Sequence, residues 1–411
     1  MSHWTDGGLS GERGTGSVRH MRALLLTVAA ALLGITALAV AAAPSDPSAP
    51  TGAGTPLAIM RVPQALDRLP KPLADVLVAL PDTGLDLNHP DLKPRVFTLP
   101  SDTLVPDSFG NQDAVVLAGT PGADFIGTNQ PPDNGGNPKP TPDADASDVG
   151  GHGTLVSGVL GAAWNNGILG AGIAPNARIL PMRTCWDGDQ CFQNVQATAV
   201  KWAAARGVRV MSMSWLVGAF DGAGFDDEIK AATNTLFVTI PSGNGGATDA
   251  DQADPVNDAR MPCGLNSPNV LCVSTSSPDD GLDCGDFGAT LVDVAVPTRN
   301  GFTTAPGGGG TPTGCATSFA APTAAGVATI LFGLDPTATP AEVKAAIIDS
   351  ARKVPAWAGK SVSGGVVDAD AAVVLFAQRR GITLRDPGTP APGGGTTTPP
   401  PPPPSPPAPR T

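Results

Sequence analysis

Four short apolar runs are set far apart in this chain: Val76–Leu80, Val208–Met213, Leu236–Ile240 and Val270–Val273. Each is too short for a core helix, so each reads as a buried strand. Helical patterns lie between and after them. Phe192–Arg206 carries apolar residues at helical spacing and stops at Gly207, a residue suited to a C-terminal cap. Thr339-Pro340-Ala341-Glu342 forms a capping box with Pro at the first helical position, and opens a helix over Pro340–Ala351. Buried strands alternating with helices predict an α/β fold: a doubly wound, mostly parallel sheet with helices on both faces.

The pattern fills residues 73–380, which are expected to form the one large domain of a 411-residue chain. A short Pro-rich segment, 44–72, precedes it. The stretch 99–150, rich in Asp, Asn, Gly and Pro, reads as a surface excursion of the same domain. Either segment is a candidate cover for a cleft. Upstream, Arg19, His20 and Arg22 lead into an uncharged run, Ala23–Ala43, that ends Ala41-Ala42-Ala43-Pro44. Basic residues, an apolar run and an Ala-x-Ala end have the form of a secretory signal, so 1–43 is expected to be a signal peptide, with Met21 as an alternative start. The run, about 20 residues, is also long enough to span a bilayer, and a retained anchor is the competing expectation. Both put the rest of the chain outside the cytoplasm. Residues 386–411 are nearly all Pro, Gly, Thr and Ser, a composition that cannot bury a core. They read as a disordered tail, or as a spacer that contacts a cell wall.

Composition narrows the partners and the compartment. The formal net charge is −12, so contacts with nucleic-acid phosphates are disfavoured. The six cysteines, Cys185, Cys191, Cys263, Cys272, Cys284 and Cys315, show no Cys-x-x-Cys pair of the kind that binds zinc. An even number suits disulfides in an oxidising compartment. Two pairs are local, Cys185–Cys191 and Cys263–Cys272, which leaves Cys284–Cys315. Buried free thiols are the alternative.

Three residues have the types and settings that acyl transfer needs. A serine hydroxyl is a weak nucleophile until a histidine takes its proton, and a buried carboxylate must hold that histidine in the right tautomer. Asp82 follows the first strand at its carboxyl end, where sites form in open α/β sheets. His152 stands between glycines at the start of the apolar run Leu155–Leu160. Ser318 opens a helix of small apolar residues, where main-chain N–H groups favour negative charge, and Pro322 is read as lying in its first turn. Asn244 lies on a glycine-rich turn after Leu236–Ile240 and offers a side-chain amide to an oxyanion. Taken singly, each has an ordinary reading: a turn Asp, a structural His, an N-capping Ser, an Asn-Gly turn.

Together these motifs resemble the subtilisin-like serine peptidases. The resemblance rests on Asp82-Thr-Gly-Leu-Asp-Leu-Asn-His-Pro-Asp-Leu92, His152-Gly-Thr-Leu-Val-Ser-Gly158, Gly172-Ile-Ala-Pro-Asn-Ala177, Ser242-Gly-Asn244 and Thr317-Ser-Phe-Ala-Ala-Pro322. It spans roughly residues 73–355, in the chain order Asp, His, Ser. It implies the subtilisin-like fold, endopeptidase activity, Asp82, His152 and Ser318 as the triad, and Asn244 with the Ser318 N–H as oxyanion donors. It implies substrate contacts at Ser214, Trp215, Leu216, Ser242 and Gly243. It also implies a structural calcium ion held by Asp91, Asn166 and the carbonyls of Trp164, Ile168 and Gly170; the chemistry itself needs no cofactor.

This sequence departs from the family pattern at several points. Ala316 stands where the family usually has Gly, at a cost of about 1 kcal/mol or more if that position needs a positive φ or close packing. Leu155 replaces a second His. Leu216 replaces a Gly and is expected to narrow the first specificity pocket or to shift how substrate lies. The 30 or so residues between Ala43 and the domain are too few for a folded pro-domain. The reading is a secreted, monomeric serine endopeptidase acting on polypeptides. The alternative is a catalytically impaired protein of the same fold that binds at the cell surface.

Overall fold

A computed structural model describes residues 44–49, 52–127, 140–186, 191–215, 224–252, 263–265 and 267–387. The expected signal peptide, Leu216 and nearly all of the Pro-rich tail lie outside the described residues. Residues 42–387 make one compact unit.

In chain order the elements that position the site are α1 (Pro56–Ile59), α2 (Val62–Asp67), β1 (Val76–Asp82), β2 (Thr103–Val105), β3 (Ala114–Val116), β4 (Ala123–Asp124), α3 (His152–Gly161), β5 (Ala177–Arg183), α4 (Gln193–Ala204) and β6 (Val210–Ser212). They continue with α5 (Phe225–Ala231), β7 (Phe237–Pro241), β8 (Val270–Ser276), β9 (Val294–Pro297), β10 (Phe302–Ala305), β11 (Gly309–Pro312), α6 (Thr317–Leu334), α7 (Pro340–Ser350), β12 (Arg352–Lys353), β13 (Gly365–Val366) and α8 (Ala369–Arg380).

A nine-stranded sheet runs β12-β13-β9-β8-β7-β6-β1-β5-β4, parallel throughout except for the β12–β13 pair. This is the doubly wound α/β fold. Alternation along the strands feeds two cores, because successive side chains of a strand leave on opposite faces. Val76, Val78 and Leu80 of β1 join a core built with α3, α6, α7 and α8. Ala79 and the half-buried Leu77 face the other core, built with α4 and α5. β8 divides the same way, with Leu271 and Val273 on one side and Val270 and Cys272 on the other.

Each of the four expected strands is present. β1 runs two residues past the apolar run, through Pro81 to Asp82, in register with β5 (Asp82 opposite Arg183). Pro81, Pro181, Pro241 and Pro297 all lie in the carboxyl-terminal halves of their strands, where each removes a main-chain donor from the ladder. The capping box is formed: the Thr339 hydroxyl accepts the Glu342 N–H, and the Glu342 carboxylate accepts the Thr339 N–H at 2.7 Å. Gly207 follows α4 with φ 75°.

Segment 44–72 is fastened along the domain at several points. Ser48 N–H donates to the Leu169 carbonyl at 2.7 Å, the Asn300 side chain reaches the Gly54 carbonyl at 3.2 Å, and Arg61 grips Asp368 with two hydrogen bonds. Three disulfides join Cys185 to Cys191, Cys263 to Cys272 and Cys284 to Cys315.

Candidate active site

Asp82 ends β1 almost wholly buried, and Thr83 donates its N–H to one carboxylate oxygen at 2.8 Å. His152, the first residue of α3, brings Nδ1 to 2.9 Å and 3.1 Å of the two Asp82 oxygens. With a carboxylate accepting at Nδ1, the ring carries its proton there and leaves Nε2 basic. The helix start is held by a residue that the sequence reading passed over. Asp148 accepts the N–H groups of Gly150, Gly151 and Thr154 and the hydroxyls of Thr83 and Thr154. An Asp at a helix start is a recognisable signal for this, since it satisfies the orphan donors of the first turn. The Thr83 hydroxyl accepts the Gly153 N–H at 2.9 Å, tying the strand end to the helix start. The approach is close: a Cβ on Gly153 would lie 2.0 Å from the Gly84 carbonyl oxygen, and Gly84 itself has φ 109°.

Ser318 is the second residue of α6, after Thr317; the residue capping that helix is Ala316. Ser318 is therefore not spent on a cap. Its hydroxyl donates to the Ser214 carbonyl at 3.2 Å, and the Ser214 hydroxyl donates to the Ser318 carbonyl at 2.9 Å. That carbonyl is free for the contact because of Pro322, which lies in the second turn of α6 and not in the first as expected. Proline has no N–H to offer the carbonyl four residues earlier, which is that of Ser318. Ala316 has φ −158°, ordinary extended backbone, so its position does not need a glycine for a positive φ. Helices α3 and α6 pack against one another.

Asn244 is exposed on the turn after β7, and its carbonyl oxygen accepts both the N–H and the hydroxyl of Thr317 at 2.8 Å. With the oxygen so engaged, the NH2 end of the amide is left to point elsewhere. Of the expected substrate-contacting residues, Ser214 and Trp215 follow β6 after Met213, and Ser242 and Gly243 follow β7 directly. The Trp215 indole is turned inward, donates to the Pro81 carbonyl at 2.9 Å and lies against Phe225.

The expected cation loop brings Asp91 and Asn166 together, as a hydrogen-bonded pair at 2.8 Å, while Gly170 N–H reaches the other Asp91 oxygen at 3.1 Å. Burial pushes the Asp91 carboxyl above the usual range, against these two donors. A second carboxylate, absent from the sequence reading, joins the loop: Asp46 accepts the N–H groups of Asn165, Asn166 and Gly167 at 2.6, 2.8 and 2.9 Å. Two carboxylates, a side-chain amide and loop carbonyls are the hard-oxygen donors that calcium takes, so the residues fit in kind.

Residues 74–373 match the profile of the subtilase family. Thermitase of Thermoactinomyces vulgaris is 28% identical over 281 residues, covering 67% of this chain and 81% of thermitase. An extracellular protease of Xanthomonas campestris is 28% identical over 239 residues, covering 54% of this chain; the chain spans only 40% of that protein's length. Among solved structures, a protease from Pseudoalteromonas arctica superimposes with a TM-score of 0.61 at 22% identity, covering 82% of this chain and all of that one, and so shares its fold. With the family profile spanning the whole sheet and Asp82, His152, Asn244 and Ser318, the chain belongs to the subtilase family of serine peptidases.

Proposed function

We propose that this protein is a secreted serine endopeptidase that hydrolyses polypeptides through an acyl-enzyme on Ser318. His152 Nε2 takes the Ser318 hydroxyl proton as the oxygen attacks the scissile carbonyl, and Asp82 stabilises the imidazolium. The Asn244 amide and the Ser318 N–H take the charge of the tetrahedral oxygen. The C–N bond then breaks, and the leaving amine receives the proton from His152. Water, deprotonated by the same ring, releases the acyl group and restores the serine. Substrate main chain runs along Ser214–Leu216 and beside Ser242–Gly243.

The observation that carries this reading is the buried Asp82 carboxylate hydrogen-bonded to His152 Nδ1. Export is supported by three disulfides and by the extracellular relative. We assign calcium a structural seat at Asp46, Asp91 and loop 164–170, where it would cross-link the loop to the N-terminal segment and take no part in the chemistry. A fluorophosphonate probe tests the reading: it should label the wild-type protein and fail to label Ser318→Ala. A folded wild-type protein that takes no label would overturn it.

A further inference from the structure

The turn that carries Asn244 is held from behind by a segment that never touches it in sequence. Asp286, in the connection between β8 and β9, is fully buried, and its carboxylate accepts the Gly245 N–H at 3.1 Å, the Thr248 N–H at 3.1 Å and the Thr248 hydroxyl at 2.6 Å. Its main chain does as much: the Asp286 N–H donates to the Gly243 carbonyl at 2.9 Å, and its carbonyl accepts the Ser242 hydroxyl at 2.6 Å. Two residues earlier, the Cys284 carbonyl accepts Gly246 N–H at 3.1 Å and Ala247 N–H at 3.3 Å. Residues on both sides of Asn244 are therefore bonded to Cys284–Asp286. The fit is tight, since a Cβ on Gly245 would lie 2.5 Å from an Asp286 carboxylate oxygen.

The same segment is covalently joined to the nucleophile. Cys284 is bonded to Cys315, which stands two residues before Thr317 and three before Ser318. Thr317 in turn fixes the Asn244 carbonyl oxygen. The amide thus sits in a closed loop of contacts: Asn244 to Thr317, along the chain to Cys315, across the disulfide to Cys284, and back through Asp286 to the turn.

We propose that Asp286 is a positioning residue for the tetrahedral intermediate. Its buried charge fixes the turn 242–248 so that the Asn244 amide meets the oxyanion, and the Cys284–Cys315 bond keeps that turn in register with Ser318. Asp286 acts through Asn244 and does not touch substrate. The proposal rests on Asn244 being an oxyanion donor, as argued under the proposed function.

A double-mutant cycle on the full chain tests it, with rates taken per folded protein by circular dichroism. Asp286→Ala should lower kcat by about tenfold and leave KM within about twofold, since a contact made only in the transition state is weakened. Asp286→Asn, which keeps one carbonyl acceptor and its shape, should recover much of the loss, and serves in the cycle if the alanine variant does not fold. In an Asn244→Ala background either substitution at 286 should change kcat by less than about twofold. The same loss in both backgrounds, or a loss confined to KM, overturns the positioning role and leaves the oxyanion assignment standing. An Asn244→Ala variant with unchanged kcat removes that assignment, and the proposal with it.

Discussion

Asp82 meets His152 through both carboxylate oxygens, 2.9 and 3.1 Å from Nδ1. The pair therefore sets the ring's orientation as well as its tautomer. Replacing Asp82 by Asn keeps the size and removes the charge, and should lower kcat by about 10,000-fold with little change in KM, read by steady-state peptide hydrolysis. His152→Ala and Ser318→Ala should each abolish nearly all turnover. Their combination should lose little more, because the residues act as one unit. Multiplying losses would argue for two independent contributions.

Thr317 holds the Asn244 oxygen with two donors, so the two ends of the amide can be tested apart. Asn244→Ala should cost about 100- to 1,000-fold in kcat, as loss of an oxyanion donor does. Thr317→Val removes the hydroxyl and keeps the N–H, and should cost no more than about tenfold, in line with one net hydrogen bond. A valine variant as slow as Asn244→Ala would mean that Thr317 does more than orient the amide.

At the loop 164–170 the expected outcome is a metal-dependent melting temperature. Chelation should lower Tm by several degrees, as loss of a ligand bound only by the folded state does. Asp46→Ala and Asp91→Ala should each remove the sensitivity to chelator. A thermal scan unmoved by chelation would mean that the N–H groups now satisfying both carboxylates suffice.

The capping box makes a pH prediction. The Glu342 carboxyl is held below its usual range by the Thr339 N–H, with further help from the Thr339 hydroxyl and Arg380. Its folded pKa is thus below its unfolded one. The stabilisation is complete above the unfolded value and is lost as pH falls through the lower folded value. Wild type and Glu342→Gln should differ in Tm near neutrality and converge in acid. A gap that persists at low pH would assign the effect to packing.

Most of what the sequence shows directly is local; the Cys284–Cys315 bond follows only after the two local pairs are set. The strand Val270–Val273 and the box at Thr339 depend on neighbouring residues, and both stand where local physics puts them. The strand that delivers Asp82 is legible in the same way, while the role proposed for Asp82 rests on the family resemblance. Asp46, Asp148 and Asp286 were missed for a shared reason: each is an acceptor for main-chain N–H groups, and those donors are recognised only once the turns exist. Asp148 was within reach, four residues before a helix-starting His. Asp46 and Asp286 were not, since their partners lie 119 and 41 residues away. Pro322 lies in the second turn because the helix already starts at Thr317, one residue before Ser318.

The closeness of Gly153 to Gly84 has a consequence for anyone engineering this enzyme. Alanine inside a helix is ordinarily a safe gain of about 1 kcal/mol over glycine. At position 153 the added methyl would push the first turn away from the β1 strand end, and the imidazole would travel with it. A library selected on turnover should therefore keep glycine here, where one missing carbon sets the spacing between the strand end and the helix that carries the imidazole.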